Sequence, residues 1–170
     1  YPGGFGTLDE ALEVLTLIQT GKRELVPVIF ADAPGGNFWT TLDHFIREQL
    51  LRDGMISPDD LHLYSVTDNY EEAAQEILNY YRVFHSMRYV GRDLVLRLHQ
   101  ALSESLLTTI RQDFADILNG GEFEQHAGKL EEEKDDEATN DMSRLVFNFN
   151  RRAHGRLRLL INLINESAGE

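Results

Sequence analysis

The chain opens with a glycine-rich stretch that ends in an acidic residue. Residues 2–10 read PGGFGTLDE, with glycines at positions 3, 4 and 6 and Glu10 four positions after Gly6. Glycine permits turns with positive φ and lets backbone N–H groups approach a ligand closely. A helix that begins here points its free N–H groups and the positive end of its dipole at an anion. The stretch therefore indicates an anion site, for which phosphate is the obvious ligand.

The same residues also permit a purely structural interpretation. Thr7 is a good N-cap for a helix over 8–20, and Glu10 could then bond back to the Thr7 N–H in a capping box. A capping box needs no preceding glycines, so it does not explain them. The residue types alone leave a phosphate site and a plain strand–turn–helix joint equally open.

Hydrophobic periodicity predicts alternating helices and strands up to about residue 85. The glycines of Pro34-Gly35-Gly36 are interpreted as a turn, because no Gly-Thr follows them. Trp39 follows that turn and is predicted in the core, with a nucleotide-base pocket as the alternative. The expected elements are a helix over 8–20, a strand over 25–30, a helix over 38–52, a strand over 61–66 and a helix over 70–84.

A different pattern begins near residues 85–86 and predicts a small α+β module over 86–170, of order β-α-β-β-α. Its expected elements are a hairpin of 87–90 with 94–98, a helix from Ser103, strands over 123–126 and 144–150, and a helix over 152–165. The loop 129–141, acidic at six of the seven positions 131–137, is predicted to be solvated or disordered. A solvated basic face is favoured over a regulatory anion site for the arginines of the tail, Arg144, Arg151, Arg152, Arg156 and Arg158.

Composition excludes several classes of function. The 170 residues carry a formal net charge of −13, which disfavours binding to nucleic acid. No apolar run approaches a membrane span, and the absence of cysteine fits a cytoplasmic protein without disulfides or thiolate metal sites. The six histidines form no metal-binding motif, and no lysine stands out as a pyridoxal-phosphate anchor, so no cofactor is predicted.

The stretch PGGFGTLDE matches PGGxGTxxE, and in this it resembles the LOG family, formerly called lysine decarboxylase-like. The resemblance implies a Rossmann-like fold and a homodimer. It also implies a phosphoribohydrolase, which cleaves the N-glycosidic bond of a nucleoside 5′-monophosphate to give free base and ribose 5-phosphate. By the same resemblance Glu10 is the catalytic carboxylate, and Gly3, Gly4, Gly6 and Thr7 hold the phosphate.

The start of the chain leads to one further expectation. A phosphate loop of this type follows a β-strand, and only Tyr1 precedes it here. A doubly wound sheet also needs more parallel strands than the two predicted after the loop. We therefore expect residues 1–85 to be the C-terminal half of a Rossmann-like domain from a longer bacterial protein. An upstream arginine that holds substrate in the family has no counterpart, so this fragment alone is expected to be inactive.

Two other functions remain open on the sequence. The first is a nucleotide or phosphate-cofactor carrier that binds without catalysis, because the same anion site would serve it. The second is an interaction module that uses the acidic loop and the region 86–170. Release of ribose 5-phosphate from a nucleoside monophosphate distinguishes the hydrolase from both.

Overall fold

The computed structural model describes residues 1–133 and 137–167, which fold as two compact units. Unit 1 consists of Tyr1–Leu78 together with Arg151–Arg158. Unit 2 consists of Asn79–Asn150 together with Leu159–Glu170. The chain first crosses from unit 1 to unit 2 between residues 78 and 79, which is seven residues before the boundary that we placed at 85–86.

Unit 1 has the alternating order of a Rossmann-like α/β fold, as predicted. Its two strands pair in parallel, with Val28 opposite Tyr64 and Ala31 opposite Thr67, and a helical connection joins them. Because parallel strands need such a crossover, both strands end at the same edge of the sheet. The elements are α1 (Phe5–Gln19), β1 (Val28–Ala31), α2 (Phe38–Phe45), β2 (Tyr64–Thr67) and α3 (Tyr70–Tyr80).

Both strands of unit 1 begin three residues later than predicted. Pro27 has no N–H to give to a ladder, and β1 begins directly after it. Before β2, residues Pro58–Leu63 form a 3₁₀ helix. Ser57 starts that helix in a capping box with Asp60, whose carboxylate accepts the Ser57 N–H at 2.8 Å. The alternating residues that indicated a strand over 61–63 therefore belong to a helical turn.

The predicted helix over 38–52 changes its hydrogen-bond pattern half-way. It is α-helical only as far as Phe45, and Ile46–Leu51 form a π-helical segment. The Arg52 N–H accordingly bonds to the carbonyl of Arg47, five residues back, at 3.3 Å. Gly54, at φ +71°, then ends the segment, as predicted.

Unit 2 is built around a four-stranded antiparallel sheet of strand order β3-β4-β6-β5. The hairpin predicted for 87–90 and 94–98 is present, and Gly91 turns it with φ +61°. The observed order is ββαββα, with two strands at the predicted hairpin where the label β-α-β-β-α counts one. The elements are β3 (Phe84–Val90), β4 (Asp93–Leu98), α4 (Glu104–Asp113), β5 (Glu124–His126), β6 (Ser143–Phe147) and α5 (His154–Glu166).

The two faces of this sheet have different chemistry, because successive strand residues point to opposite sides. One face is apolar and fully buried, and it includes Leu94, Leu96, Leu98, Leu145 and Phe147. The register puts Arg88 beside Val95, Val95 beside Val146, and Arg97 beside Arg144 on the other face. We call these five residues the polar face, because three of them are arginines.

The acidic loop over 129–141 closes on the polar face through one buried carboxylate. Glu133 is 4% exposed, and its two oxygens accept from Arg97 Nη2 and Arg144 Nε, each at 3.0 Å. The prediction of a solvated or disordered loop is therefore wrong for Glu133, while Lys134–Asp136 lie outside the described residues. Burial tends to raise the pKa of Glu133, but the N–H of Leu130 and both guanidiniums bring it below its ordinary value.

The expected solvated basic face is also wrong for two arginines of the tail. Arg144 is completely buried on Glu133, and Arg158 is 4% exposed and donates to Glu76 at 2.7 Å. Arg151 and Arg152 are exposed, as predicted. Buried guanidiniums need a carboxylate partner, and the acidic composition of the chain supplies one to each of these two.

We expect Glu133→Gln to destabilise the protein by about 3–5 kcal/mol, because it leaves two desolvated guanidiniums without a counter-charge. Glu131→Gln is the matched control, since Glu131 is an exposed acid two positions earlier in the same loop. Urea unfolding of the three proteins measures the difference. Equal midpoints for both variants would contradict a structural role for the Arg97–Glu133–Arg144 cluster.

A second prediction concerns His154, the first residue of α5, which is buried within unit 1. Its ring lies so close to Gly21 that a Cβ there would approach the ring to 2.7 Å. Burial lowers the pKa of His154, and hydrogen bonding to the main chain of Gln19 and Arg152 and the charge of Asp60 offset only part of that effect. The folded protein therefore favours the neutral ring.

The unfolded chain binds a proton at His154 more readily than the folded protein does. The contribution of the neutral ring to stability is therefore fully present above about pH 6.5 and is lost as the pH falls toward the folded-state pKa. The contribution of one histidine reaches at most about 1.4 kcal/mol per pH unit. Unfolding free energies between about pH 7.5 and 5.5 should show a smaller slope for His154→Gln than for the parent. His44→Gln, which removes an exposed histidine, should keep the parent slope.

Candidate functional site

The starts of three helices and the ends of both parallel strands lie together in unit 1. α2 and α3 follow β1 and β2, so both helices begin at the carboxyl edge of the sheet. The ring of Tyr1 contacts that of Tyr70, the first residue of α3, at a centroid distance of 6.0 Å. This contact brings the glycine-rich stretch to the same edge, where α/β folds bind their ligands.

The glycine-rich stretch forms the uncapped start of α1. Gly4 is the N-cap residue and has no side chain with which to cap the helix. Its carbonyl accepts from the N–H groups of Thr7 and Leu8 at 3.1 and 3.2 Å. Within the described chain, the N–H groups of Phe5 and Gly6 have no hydrogen-bond acceptor. These two donors and the helix dipole make the tip of α1 attractive to an anion.

The capping box that we considered for Thr7 and Glu10 does not form. The helix begins at Phe5, three residues earlier than predicted, so Thr7 lies inside its first turn. The Thr7 N–H bonds to Gly4 rather than to Glu10. The Glu10 side chain is exposed and has no hydrogen-bond partner in the part of the chain that the structure describes.

The glycines of the stretch do not adopt the positive φ that we expected. Gly3, Gly4 and Gly6 are all outside the left-handed region. A Cβ at Gly3 would overlap the Thr7 side chain, approaching its Cβ to 2.8 Å, whereas a Cβ at Gly4 or Gly6 would meet nothing within 4 Å. Gly3 is thus needed for contact with Thr7, and the other two leave open space beside the helix tip.

The neighbouring start of α2 already holds an anion from the chain itself. The carboxylate of Asp32, which is 2% exposed, accepts the N–H of Trp39 at 3.0 Å. The turn over 34–36 is closed by a bond of 2.9 Å from the Gly35 N–H to Asp68. Trp39 is buried and stacks on Phe30 with the ring centroids 4.5 Å apart, so it is a core residue.

The start of α3 is also capped from within. The side-chain oxygen of Asn69 accepts from the N–H groups of Glu71 and Glu72 at 2.9 and 3.3 Å, as the sequence predicted. The starts of α2 and α3 therefore each have a side-chain acceptor, whereas the described residues supply none to α1. This difference singles out α1 as the candidate site.

The structure brings together part of the predicted set of site residues. Gly3 and Thr7 are in contact, and Gly6 and Glu10 lie at i and i+4, on one side of α1. Sequence reasoning missed Asp32, Asp68 and Tyr70 at the same sheet edge. For the two aspartates a signal was present, since each lies two positions after a predicted strand. Among the described residues, no group of three or more histidine or acidic side chains could hold a metal ion.

The first part of the chain is similar in sequence to known proteins. Residues 1–77 match the model of a protein family described as "Possible lysine decarboxylase". The chain is 34% identical over 79 residues to cytokinin riboside 5′-monophosphate phosphoribohydrolase LOG5 of Arabidopsis thaliana. Residues 1–77, which we call the LOG segment, are thus similar to the LOG family. The LOG segment ends inside α3, so all of unit 2 falls outside it.

The likeness to LOG5 is partial on both sides. It covers 46% of this chain and 33% of LOG5, so the chain spans about a third of the curated relative that it matches. The candidate site at the start of α1 lies within the 77 residues that match the family model.

We expect Gly3→Ala to lower the free energy of unfolding by about 1–3 kcal/mol, because the added methyl overlaps Thr7. Gly6→Ala should instead raise the free energy of unfolding by about 0.5–1 kcal/mol, because alanine there replaces a helical glycine and its methyl group meets only open space. Thermal unfolding of both variants measures the two shifts. An unchanged or raised stability of Gly3→Ala would contradict the overlap with Thr7 on which this prediction rests.

Proposed function

We propose that unit 1 carries the phosphate-binding part of a LOG-type phosphoribohydrolase site. The reaction is hydrolysis of the N-glycosidic bond of a nucleoside 5′-monophosphate, which releases free base and ribose 5-phosphate. The observation that carries the proposal is the uncapped start of α1 within the LOG segment. Likeness to LOG5, which acts on a riboside 5′-monophosphate by its name, supports the class of substrate.

In the proposed site the 5′-phosphate binds at the tip of α1. The N–H groups of Phe5 and Gly6 donate to its oxygens, and the absence of side chains at Gly4 and Gly6 leaves room for it. The Thr7 hydroxyl adds a further donor. The helix dipole contributes about 0.3–1 kcal/mol to binding of the anion at such an exposed helix end.

Glu10 is the proposed catalytic carboxylate. It lies four residues after Gly6, roughly 6 Å further along the helix axis, which is a suitable offset for a ribose that is held by its phosphate. As the C1′–N bond breaks, its electron pair leaves with the base and C1′ becomes oxocarbenium-like. The carboxylate stabilises that cation and takes a proton from the water whose oxygen bonds to C1′. The proton then passes to the departing base.

We also propose that the protein is cytoplasmic and forms a homodimer. The chain contains no cysteine, and every helix of the described residues is too short or too polar to cross a membrane. On α1, Phe5 is 93% exposed and Leu12 is 41% exposed. Apolar side chains left open on the helix that carries the site support a subunit contact there.

A non-catalytic nucleotide or phosphate-cofactor carrier is the second candidate. It is favoured by the lack of any hydrogen bond that would orient Glu10 in the described structure. A catalytic carboxylate needs to be held near its reacting atom, whereas a carrier needs only the anion site. The two candidates share the phosphate contacts and differ in the role of Glu10.

We expect Glu10→Gln to lower turnover of a nucleoside monophosphate by about 10²–10⁴-fold, while nucleotide affinity stays close to the parent value. Glu13→Gln is the control, because Glu13 is an exposed acid one turn further along the same helix. Ribose 5-phosphate release from AMP and related monophosphates is measured in the complete gene product and in the 170-residue chain. Binding is measured by calorimetry on the same proteins.

The outcomes separate the candidates. Product release that fails in Glu10→Gln but not in Glu13→Gln supports the hydrolase. Binding without product in the parent protein supports the carrier. If the parent protein neither binds nor cleaves any monophosphate, the anion site at α1 is not functional and both candidates fail.

A further inference from the structure

An open cleft of about 530 Å³ lies on the polar face of the sheet, entirely within unit 2. It is bounded by the hairpin of β3 and β4, by β6 and by residues 130 and 132 of the acidic loop. The cleft therefore lies outside the LOG segment and belongs to a different unit from the start of α1. None of its residues takes part in the phosphate contacts proposed at the tip of α1 or in the role proposed for Glu10.

The apolar lining of the cleft includes two half-buried residues, Val146 on β6 and Leu130 in the acidic loop. Val95, which pairs with Val146 on β4, is completely buried and offers no surface of its own. Val146 and Leu130 together offer a surface for an aliphatic or aromatic side chain.

Two arginines of the cleft have no anionic partner in the described chain. Arg88 is half-buried on β3, next to Val95, and Arg92 is exposed in the hairpin turn. Neither makes a hydrogen bond or an ion pair with any described residue. By contrast, Arg97 and Arg144 on the same face share the carboxylate of Glu133.

Two carboxylates line the same cleft. Asp93 is half-buried and uses one oxygen to accept from Asn148 at 3.0 Å, while Glu132 is exposed at the loop. The charged groups of the cleft are thus two cations and two anions, which sum to zero. A phosphate or polyphosphate would gain from the arginines but would face both carboxylates. A ligand that carries one charge of each sign meets no such repulsion.

We propose that this cleft binds a free α-amino acid with an apolar side chain. Its carboxylate pairs with Arg88 and Arg92, in the way that Glu133 pairs with two arginines on the same face. Its ammonium group pairs with Asp93 and Glu132, and its side chain packs on the apolar surface of Val146 and Leu130. This binding does not depend on the activity proposed for unit 1.

The test is calorimetric titration of the whole chain with L-leucine. Two analogues each remove one charge: 4-methylpentanoate lacks the ammonium group, and 3-methylbutylamine lacks the carboxylate. We expect L-leucine to bind and both analogues to bind at least about tenfold more weakly, because each loses charged hydrogen bonds. Inorganic phosphate should not compete with L-leucine.

Three variants test whether L-leucine binds in this cleft. Arg88→Gln should lower the affinity for L-leucine by at least about tenfold, and Glu132→Gln should lower that affinity as well. Arg23→Gln, which removes an exposed arginine of unit 1, is the matched control and should bind like the parent. Circular dichroism checks that each variant is folded. The proposal is overturned if no apolar amino acid binds, if 4-methylpentanoate or phosphate binds as tightly as L-leucine, or if folded Arg88→Gln keeps the parent affinity.

Discussion

Backbone N–H groups at the start of a helix need acceptors, and α1, α2 and α3 meet this need differently. Asp32 gives a carboxylate oxygen to α2, and Asn69 gives its side-chain oxygen to α3. Gly4 has no side chain to offer to α1, so the N–H groups of Phe5 and Gly6 stay available among the described residues. We place the candidate site at α1 because, unlike α2 and α3, this helix start has no side-chain acceptor among the described residues.

The fold was predictable where its signals are local. The hairpin turn at Gly91 and the helix starts at Asn69 and Ser103 follow from residues that contact one another within a few positions. The π-helical segment after α2 was not predictable, because it preserves the apolar pattern of an α-helix. The burial of Glu133 was not predictable either, since its partners come from two different strands. An acidic run gives no local sign that one member will be enclosed.

The sequence identified which residues form the candidate site better than it predicted their conformation. The glycine-rich stretch marked the right helix, but we predicted Thr7 as its N-cap because threonine caps well and glycine offers no side chain. The structure starts the helix at Phe5 instead, which makes Gly4 the cap and leaves Glu10 exposed. The occupation of the α2 start by Asp32 depends on the turn between β1 and α2, and periodicity carries no information on that turn.

The division of α5 between the two units affects how the protein can be made. Unit 1 is discontinuous, and its last piece, Arg151–Arg158, is encoded after most of unit 2. Gly155 then lies against the main chain of Asp59, where a Cβ would overlap the carbonyl. At about 5–20 residues per second, the ribosome delivers that piece several seconds after Leu78. During translation the site-bearing unit must therefore wait, incompletely packed, for a segment that emerges near the end of synthesis.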